Sequence, residues 1–189
     1  MPEVLSNYEK FPSIRINEPV ECGSGWKSVC GLIKKEVYKQ PENAVVVIDC
    51  YPGVLEDEAI RPFQSFFPGP FYFSKDCILD EKQIRQLVYP DVTDDAVFGY
   101  LTRLNLIQFF DSSKISALRA QIERRPEPVI YLFGIGAALL YPDPDLLIYF
   151  DMPRWEAQLR FRRNEVSNLG VNNKTQPASL QYKQAFFVD

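Results

Sequence analysis

Three short stretches of the chain are apolar at nearly every position: residues 44–50 (AVVVIDC), 129–133 (VIYLF) and 146–150 (LLIYF). Continuous apolar runs of this length, rich in β-branched and aromatic residues, are typical of strands buried on both faces of a parallel sheet. The segments between them carry apolar residues at helical spacing instead. Strands that alternate with helices predict a three-layer α/β fold, in which helices cover both faces of a mostly parallel sheet.

The same patterns, together with proline, glycine and capping residues, set the expected boundaries of the other elements. Helices are predicted at 26–38, 55–67, 80–88, 93–104 and 112–125, and one more begins at Pro153. Short strands are predicted at 106–110 and at the end of the aromatic segment 63–73, with a first strand or extended arm at 8–16.

The last part of the chain differs from the rest. Residues 164–179 are polar and are typical of a mobile loop or linker, whereas the final residues, QAFFVD, are apolar. Chain termini are normally polar and frayed, so we expect a longer protein to continue beyond Asp189. We therefore divide the chain into an α/β domain at 1–163, and a linker with the start of a following region at 164–189.

Composition excludes several classes of function. Lys and Arg total 21 against 25 Asp and Glu, a net charge of -4, which argues against nucleic-acid binding. The chain has no histidine, so Ser-His-Asp and Cys-His catalysis, and any His-based zinc or iron site, are excluded within it. No apolar run reaches the ~20 residues of a membrane helix. The four cysteines form no CxxC pair or zinc pattern, so we expect free thiols, a cytoplasmic location and no metal site.

The turn after residues 44–50 occupies the position of a phosphate-binding loop. Such loops are glycine-rich and supply a lysine to the phosphates. Here only Gly53 remains, and Glu56, Asp57 and Glu58 open the following helix, with no replacement lysine in the segment. Three carboxylates would repel a triphosphate. An ordinary strand-to-helix turn and a modified anion or metal site both fit this sequence.

Two aspartates and a glycine pair follow the predicted strands. Asp49 and Asp151 lie at the carboxyl ends of their strands, where open α/β sheets bind ligands. Each could hold magnesium, act as a base or cap the next helix. Gly134 and Gly136 fit either close approach to a ligand or a tight turn.

The helix after Pro153 is rich in arginine, which matches phosphate oxygens well. Arg160 and Arg163 share a helical face with Glu156, so this face either binds phosphate or is a solvated surface with an internal ion pair. A further cluster, predicted as core or as a base-stacking or partner surface, comprises Phe63, Phe66, Phe67, Phe71, Tyr72 and Phe73.

The segment 129–163 resembles the second half of the uridine kinase and phosphoribulokinase group of P-loop kinases. The resemblance rests on FGIGAAL, on DLLIYFD and on Arg154 with RFRR at 160–163. It implies a P-loop NTPase-like fold in which the arginines close over nucleotide phosphates. Glu56 and Asp57 replace the loop lysine and hydroxyl, and Phe133 replaces a carboxylate. The implied phosphate ligands are Asp49, Gly53, Gly134, Asp151, Arg154, Arg160 and Arg163.

A second resemblance covers nearly the whole chain. The segment YFDMPRWEAQLRFRRNEVSNLGVNN, followed by QYKQAFFVD, is similar to the kinase-like N-terminal region fused to some bacterial class I mannose-6-phosphate isomerases. This implies a zinc-dependent cupin downstream as partner, and no cofactor in this chain. The implied function is a non-catalytic or regulatory domain that binds a sugar phosphate or nucleotide. An active small-molecule kinase with an atypical loop and a pure interaction domain are the alternatives.

Overall fold

The computed structural model describes residues 12–189 of the chain. The strands are β1 (Val45–Cys50), β2 (Phe71–Phe73), β3 (Ile130–Gly134) and β4 (Leu146–Phe150). The helices are α1 (Trp26–Val37), α2 (Glu56–Phe66), α3 (Glu81–Val92), α4 (Ser112–Arg124), α5 (Ala137–Leu140), α6 (Arg154–Arg162) and α7 (Ala178–Phe187). Short 3-10 helices span Ser74–Cys77 and Leu106–Phe109. The first strand or arm predicted at 8–16 begins outside the described residues, and its described part, 12–16, is irregular and exposed.

The four strands form one parallel sheet in the order β2-β3-β1-β4. Side chains of β1 and β3 alternate between two buried clusters, one on each face of the sheet. Helices α1 and α2 pack on one face, and α3, α4 and α5 pack on the other. The predicted three-layer α/β fold is therefore confirmed, and the runs at 44–50 and 129–133 form its two central strands, β1 and β3. The prediction that the run at 146–150 is buried on both faces is wrong, because β4 is an edge strand on which Leu147 and Tyr149 are 54% and 55% exposed.

The aromatic cluster of the segment 63–73 belongs to the core. Phe63 of α2 and Phe67, which follows that helix, are buried. Phe71 stacks on Tyr131 at a centroid distance of 4.7 Å. Burial of rings of this size stabilises a fold strongly. The cluster offers little free surface for stacking a base or a partner.

The helix predicted at 93–104 is wrong, because residues 93–105 form an irregular loop. Thr93 ends α3 with φ of 58°, and the Asp95 carboxylate accepts hydrogen bonds from the backbone amides of Val97 and Phe98, both at 2.7 Å. Aspartate side chains that bond to nearby amides in this way compete with helix formation. The apolar side chains of the segment, among them Val97, Phe98 and Leu101, are instead exposed on the surface of the loop.

The strand predicted at 106–110 is also wrong. Leu106–Phe109 forms a 3-10 helix instead. At its start the Asn105 amide donates to Gln108 Oε1 at 2.7 Å, and the Gln108 amide donates to the Asn105 carbonyl at 2.9 Å. Only Phe110 pairs as a strand residue, in an isolated antiparallel bridge with Ile78. Local capping chemistry outweighs the short apolar pattern here.

The end of the chain, predicted as a linker and the start of a following region, folds into α7 and packs against α6 and α3. Buried amides hold it in place: Gln181 donates to the carbonyls of Val166 and Asn173, and Asn168 donates to the carbonyl of Gln181. A further region after Asp189 stays a prediction.

Candidate functional site

The carboxyl ends of the parallel strands gather polar residues at one edge of the sheet. Asp49 at the end of β1 is the register partner of Gly134 on β3 and of Tyr149 on β4. Ser74 follows β2 directly and Asp151 follows β4. The ligand crevice of an open α/β sheet lies at such an edge, so this is the candidate site.

Asp49 is a partly buried carboxylate at this edge. Its Oδ1 atom is buried and has no hydrogen-bond partner among the described residues. Burial raises the pKa of the Asp49 carboxyl, and nearby backbone amides, that of Ala137 first and that of Gly136 next, partly offset the rise. These amides lie near the carboxylate, but none of them donates a hydrogen bond to Oδ1. Asp49 caps no helix that follows β1, because the residue before α2 is Leu55.

The loop between β1 and α2 is a tight, closely packed turn. The Tyr51 amide donates to the Phe150 carbonyl at 2.9 Å, and the Val54 amide donates to the Tyr51 carbonyl at 3.1 Å. Gly53 has φ of 96°, and a β-carbon there would lie 2.7 Å from the Met152 Cε atom. The loop is therefore pressed against α6, and its single glycine is required by the backbone conformation and by close packing.

A lysine from another element lies at the start of α2. The Lys75 Nζ atom, just after β2, lies 3.5 Å from Glu56 Oε2. Burial raises the pKa of the Glu56 carboxyl, and the charge of Lys75 partly offsets the rise. Lys75 belongs to the 3-10 helix that follows β2, so a lysine lies at the start of α2 although the turn after β1 contains none.

Ser74 and Gly134 complete this corner of the site. Ser74 is 1% exposed, and its Oγ atom has no hydrogen-bond partner among the described residues. Gly134 has φ of 125°, and a β-carbon at that position would lie 2.3 Å from Ser74 Oγ and 3.2 Å from Glu56 Oε1. Sequence reasoning missed Ser74 and Lys75. The available signal was the tripeptide SKD directly after the short strand FYF.

The arginines of α6 are largely occupied by the protein itself. Arg160 donates to the Gly53 carbonyl at 2.8 Å and pairs with Glu156 at 3.2 Å. Arg163 pairs with Glu156 at 2.7 Å and with Glu165 at 2.8 Å, and hydrogen bonds to these carboxylates raise the pKa of its guanidinium. The ion pair between Glu156 and Arg160 is thus present, while Arg160 joins α6 to the loop after β1.

Arg154 and Asp151 lie near the start of α6. Arg154 donates to the Ala185 carbonyl at 3.3 Å and lies over the Phe186 ring. Asp151 is exposed and accepts a hydrogen bond from the Met152 amide at 2.8 Å. It does not cap α6, whose N-cap residue is Pro153. Of the predicted ligand residues, the fold brings Asp49 beside Gly134 and Arg160 onto Gly53.

A cavity of about 440 Å³ opens beside this edge, between the loop after β1, the loop at 96–98, α6 and α7. Its walls include Gly53, Ile135 and Arg154. A second groove of about 520 Å³, lined by Asp151 and Arg160 among others, lies between α1, α2 and β4. The first cavity has the size of a small-molecule site.

The cysteines of the described residues form no disulfide. All four cysteines are free thiols, as predicted. Burial, followed by the charges of Glu56 and Asp49, raises the pKa of Cys50 to about 12, so its thiol is not a nucleophile. Within residues 12–189, no group of three Asp, Glu or Cys side chains could hold a metal ion. In the same residues, no helix is long and apolar enough to cross a membrane.

Comparison with known proteins shows a kinase-like fold. A crystal structure described as a putative fructose transport system kinase from Silicibacter sp. TM1040 is similar to this chain, with a TM-score of 0.54 and 14% sequence identity. The similarity covers 86% of this chain and 94% of that one. At this identity it shows the fold alone, which agrees with the kinase-like fold implied by the sequence.

Family membership comes from the sequence itself. No curated protein matches the chain. A family profile described as a domain of unknown function, DUF8485, matches residues 25–189. Because this match covers most of the chain, the protein belongs to the DUF8485 family.

Proposed function

We propose that this protein is a kinase-like domain that binds an anionic small molecule without transferring a phosphoryl group. The observation that carries the proposal is the start of α2, where a kinase would bind phosphate. Glu56, Asp57 and Glu58 occupy its first turn, and the nearby Lys75 pairs with Glu56. Phosphoryl transfer depends on neutralising phosphate charge, which this arrangement opposes.

We expect the ligand to bind at the same edge of the sheet, through the Arg154 side chain. Arg160 and Arg163 are bound to protein carboxylates. Arg154 has no carboxylate within ion-pair distance among the described residues, and it lines the cavity of about 440 Å³. A phosphate or carboxylate group of the ligand would pair with the Arg154 guanidinium in this cavity.

We further propose a regulatory role in a mannose-6-phosphate isomerase-type protein, with zinc held by a downstream cupin and a sugar phosphate or nucleotide as ligand. The sequence resemblance supports this context. The description of the similar structure as a putative fructose transport system kinase also favours a ligand related to sugars. The free thiols fit a cytoplasmic location.

Isothermal titration calorimetry with mannose 6-phosphate, fructose 6-phosphate and ATP tests the proposal. We expect at least one of them to bind at millimolar concentration or below, and no ATP turnover in a coupled assay across sugars and nucleosides. If none of the three binds, a sugar phosphate or nucleotide is excluded as the ligand, and light scattering with and without the downstream region would then test for a partner contact.

An active kinase is the second candidate, because Lys75 stands beside the phosphate position and Asp49 is a buried carboxylate on the same edge. Turnover that is abolished both by Lys75→Met and by Asp49→Asn would favour this candidate over the first. Lys82→Met, on the surface of α3, is the matched control for loss of a lysine.

A further inference from the structure

The cavity between α6, α7 and the loop at 96–98 has an aromatic wall. Phe98 comes from the loop, and Phe186 and Phe187 come from α7. The side chains of Phe98 and Phe186 are 71% and 60% exposed, although each is a large apolar ring. Rings left open to water in a cavity of this size are available to pack against a ligand.

The loop that carries Phe98 is held in a fixed conformation. The Asp95 carboxylate bonds to the Val97 and Phe98 amides, and the Thr102 amide donates to the Phe187 carbonyl at 2.9 Å. A β-carbon at Gly99 would lie 2.5 Å from the Asp91 carbonyl oxygen, so the loop packs closely on the body of the domain. The aromatic wall is therefore formed before any ligand arrives.

The charge of the cavity is positive on one side. The Arg154 guanidinium lies 5.6 Å from the centroid of the Phe186 ring. Lys183, which is 6% exposed, donates to the carbonyls of Thr93 and Asp95, and its side chain also lines the cavity. Neither cation has a carboxylate within 4.0 Å among the described residues. The Asp189 carboxylate also lies in the cavity wall, and it accepts a hydrogen bond from Asn168 at 2.6 Å.

The other polar groups of the wall are partly used by the protein. The Tyr182 hydroxyl donates to the Gln158 carbonyl at 2.7 Å and accepts from Arg162 at 2.7 Å. The apolar remainder of the wall comprises Val97, Ile135, Ala157, Phe161, Leu169 and Ala185. Most of the wall is therefore apolar, and such a wall favours a ligand that carries an apolar ring.

We propose that this cavity binds an aromatic anion, with the ring against Phe98 and Phe186 and the anionic group at Arg154. The inference rests on the proposed function in placing the ligand at this edge of the sheet, and it names the ligand class as an aryl phosphate or aryl carboxylate. A planar ring packs on the aromatic wall, and a guanidinium fork matches a phosphate or carboxylate.

Titration calorimetry of the full chain with phenyl phosphate, fructose 6-phosphate and inorganic phosphate tests this inference. We expect phenyl phosphate to bind about tenfold or more tightly than the other two, since both ring and charge contribute. Arg154→Gln and Phe186→Ser should each weaken phenyl phosphate binding by about tenfold. Arg61→Gln, exposed on α2 and outside the cavity wall, should leave it unchanged.

The outcomes separate this inference from the proposed function. Equal affinities for phenyl phosphate and fructose 6-phosphate, or binding unaffected by Arg154→Gln, would overturn the inference and leave an anion-binding domain standing. Binding of phenyl phosphate together with ATP turnover would support the inference and overturn the proposed function. Circular dichroism of each variant shows whether a loss of binding is a loss of folding.

Discussion

Gly134 is the residue on which the geometry of the site depends most directly. Its φ of 125° is unfavourable for any residue with a β-carbon, and Ser74 Oγ and Glu56 Oε1 fill the space that such an atom would need. Gly134→Ala should therefore lower the free energy of unfolding by about 2 kcal/mol or more, from backbone strain and collision together. Urea denaturation measures the change.

Gly31 supplies the matched control for Gly134→Ala. It lies within α1, and a β-carbon there would contact nothing within 4 Å. Gly31→Ala should raise the free energy of unfolding by about 0.5–1 kcal/mol, because alanine favours a helix over glycine. An equally mild effect at both positions would contradict the close contact described around Gly134.

Asp49 should make stability depend on pH. The unfolded chain ionises Asp49 near its ordinary pKa of about 3.9, and burial raises this pKa in the folded state. The stability contributed at this residue is then fully present below pH ~4 and is lost as pH rises through the raised pKa. Asp49→Asn should remove this loss, so the variant is more stable than the parent protein at pH 7.

Thermal unfolding at several pH values between 4 and 8 tests the effect of Asp49→Asn. The two proteins should converge towards pH 4, where both side chains are uncharged. Asp151→Asn, at the end of the adjacent strand but exposed, should change stability by less than about 0.5 kcal/mol. A destabilised Asp49→Asn at pH 7 would mean that the amides of α5 outweigh the burial of the carboxylate.

At the scale of elements, α7 is held to the domain by buried polar groups as well as apolar ones. Asn168 donates to the Gln181 carbonyl at 3.1 Å and accepts from Asn173 at 2.7 Å. Asn168→Ala would remove both of these hydrogen bonds from a buried site and leave Asn173 Nδ2 with a contact of 3.5 Å to Gln176 Oε1, which should lower the free energy of unfolding by about 2 kcal/mol. Chemical denaturation measures it.

Asn172, a few residues away, is exposed and provides the control. Asn172→Ala should change the free energy of unfolding by less than about 0.5 kcal/mol. If Asn168→Ala were equally mild, the packing of α7 would rest on its apolar contacts alone, such as the ring contact between Phe161 and Tyr182.

At the scale of the whole molecule, we expect a single cooperative unfolding transition. The core cluster on the α4 side of the sheet includes Leu169 and Val171 together with Val45 and Val47 of β1. Residues after position 163 thus share one core with the central strand, and cores of this size usually unfold as a unit. Calorimetry should give equal calorimetric and van't Hoff enthalpies.

Deletion of residues 178–189 tests the same point from the other side. The shortened chain should unfold at a lower temperature, because it exposes the surfaces of α3 and α6 that α7 covers. Two separate transitions in the full chain, of which the deletion removes one, would instead indicate an independent C-terminal unit.

The sequence by itself determined the central sheet and most of the helices around it. The runs at 44–50 and 129–133 are apolar on both faces, and strands covered by helices on both sides bury such runs. The run at 146–150 has the same pattern but forms the edge strand β4, on which Leu147 and Tyr149 are exposed, so the pattern did not identify its position in the sheet. The helix predicted at 93–104 and the strand predicted at 106–110 do not form. Local hydrogen bonds, to the Asp95 carboxylate and between Asn105 and Gln108, outweigh the weak apolar spacing of these segments.

Only the tertiary structure decided the character of the site. Strand order brings Lys75, just after β2, to Glu56 at the start of α2, although 18 residues lie between them in the sequence. The ion pair of Arg160 with Glu156 follows from their spacing on one helix, but the contact of Arg160 with the Gly53 carbonyl does not. Sequence spacing carries no information on such contacts, because they arise where separate elements meet, and their charges determine whether a phosphate can bind.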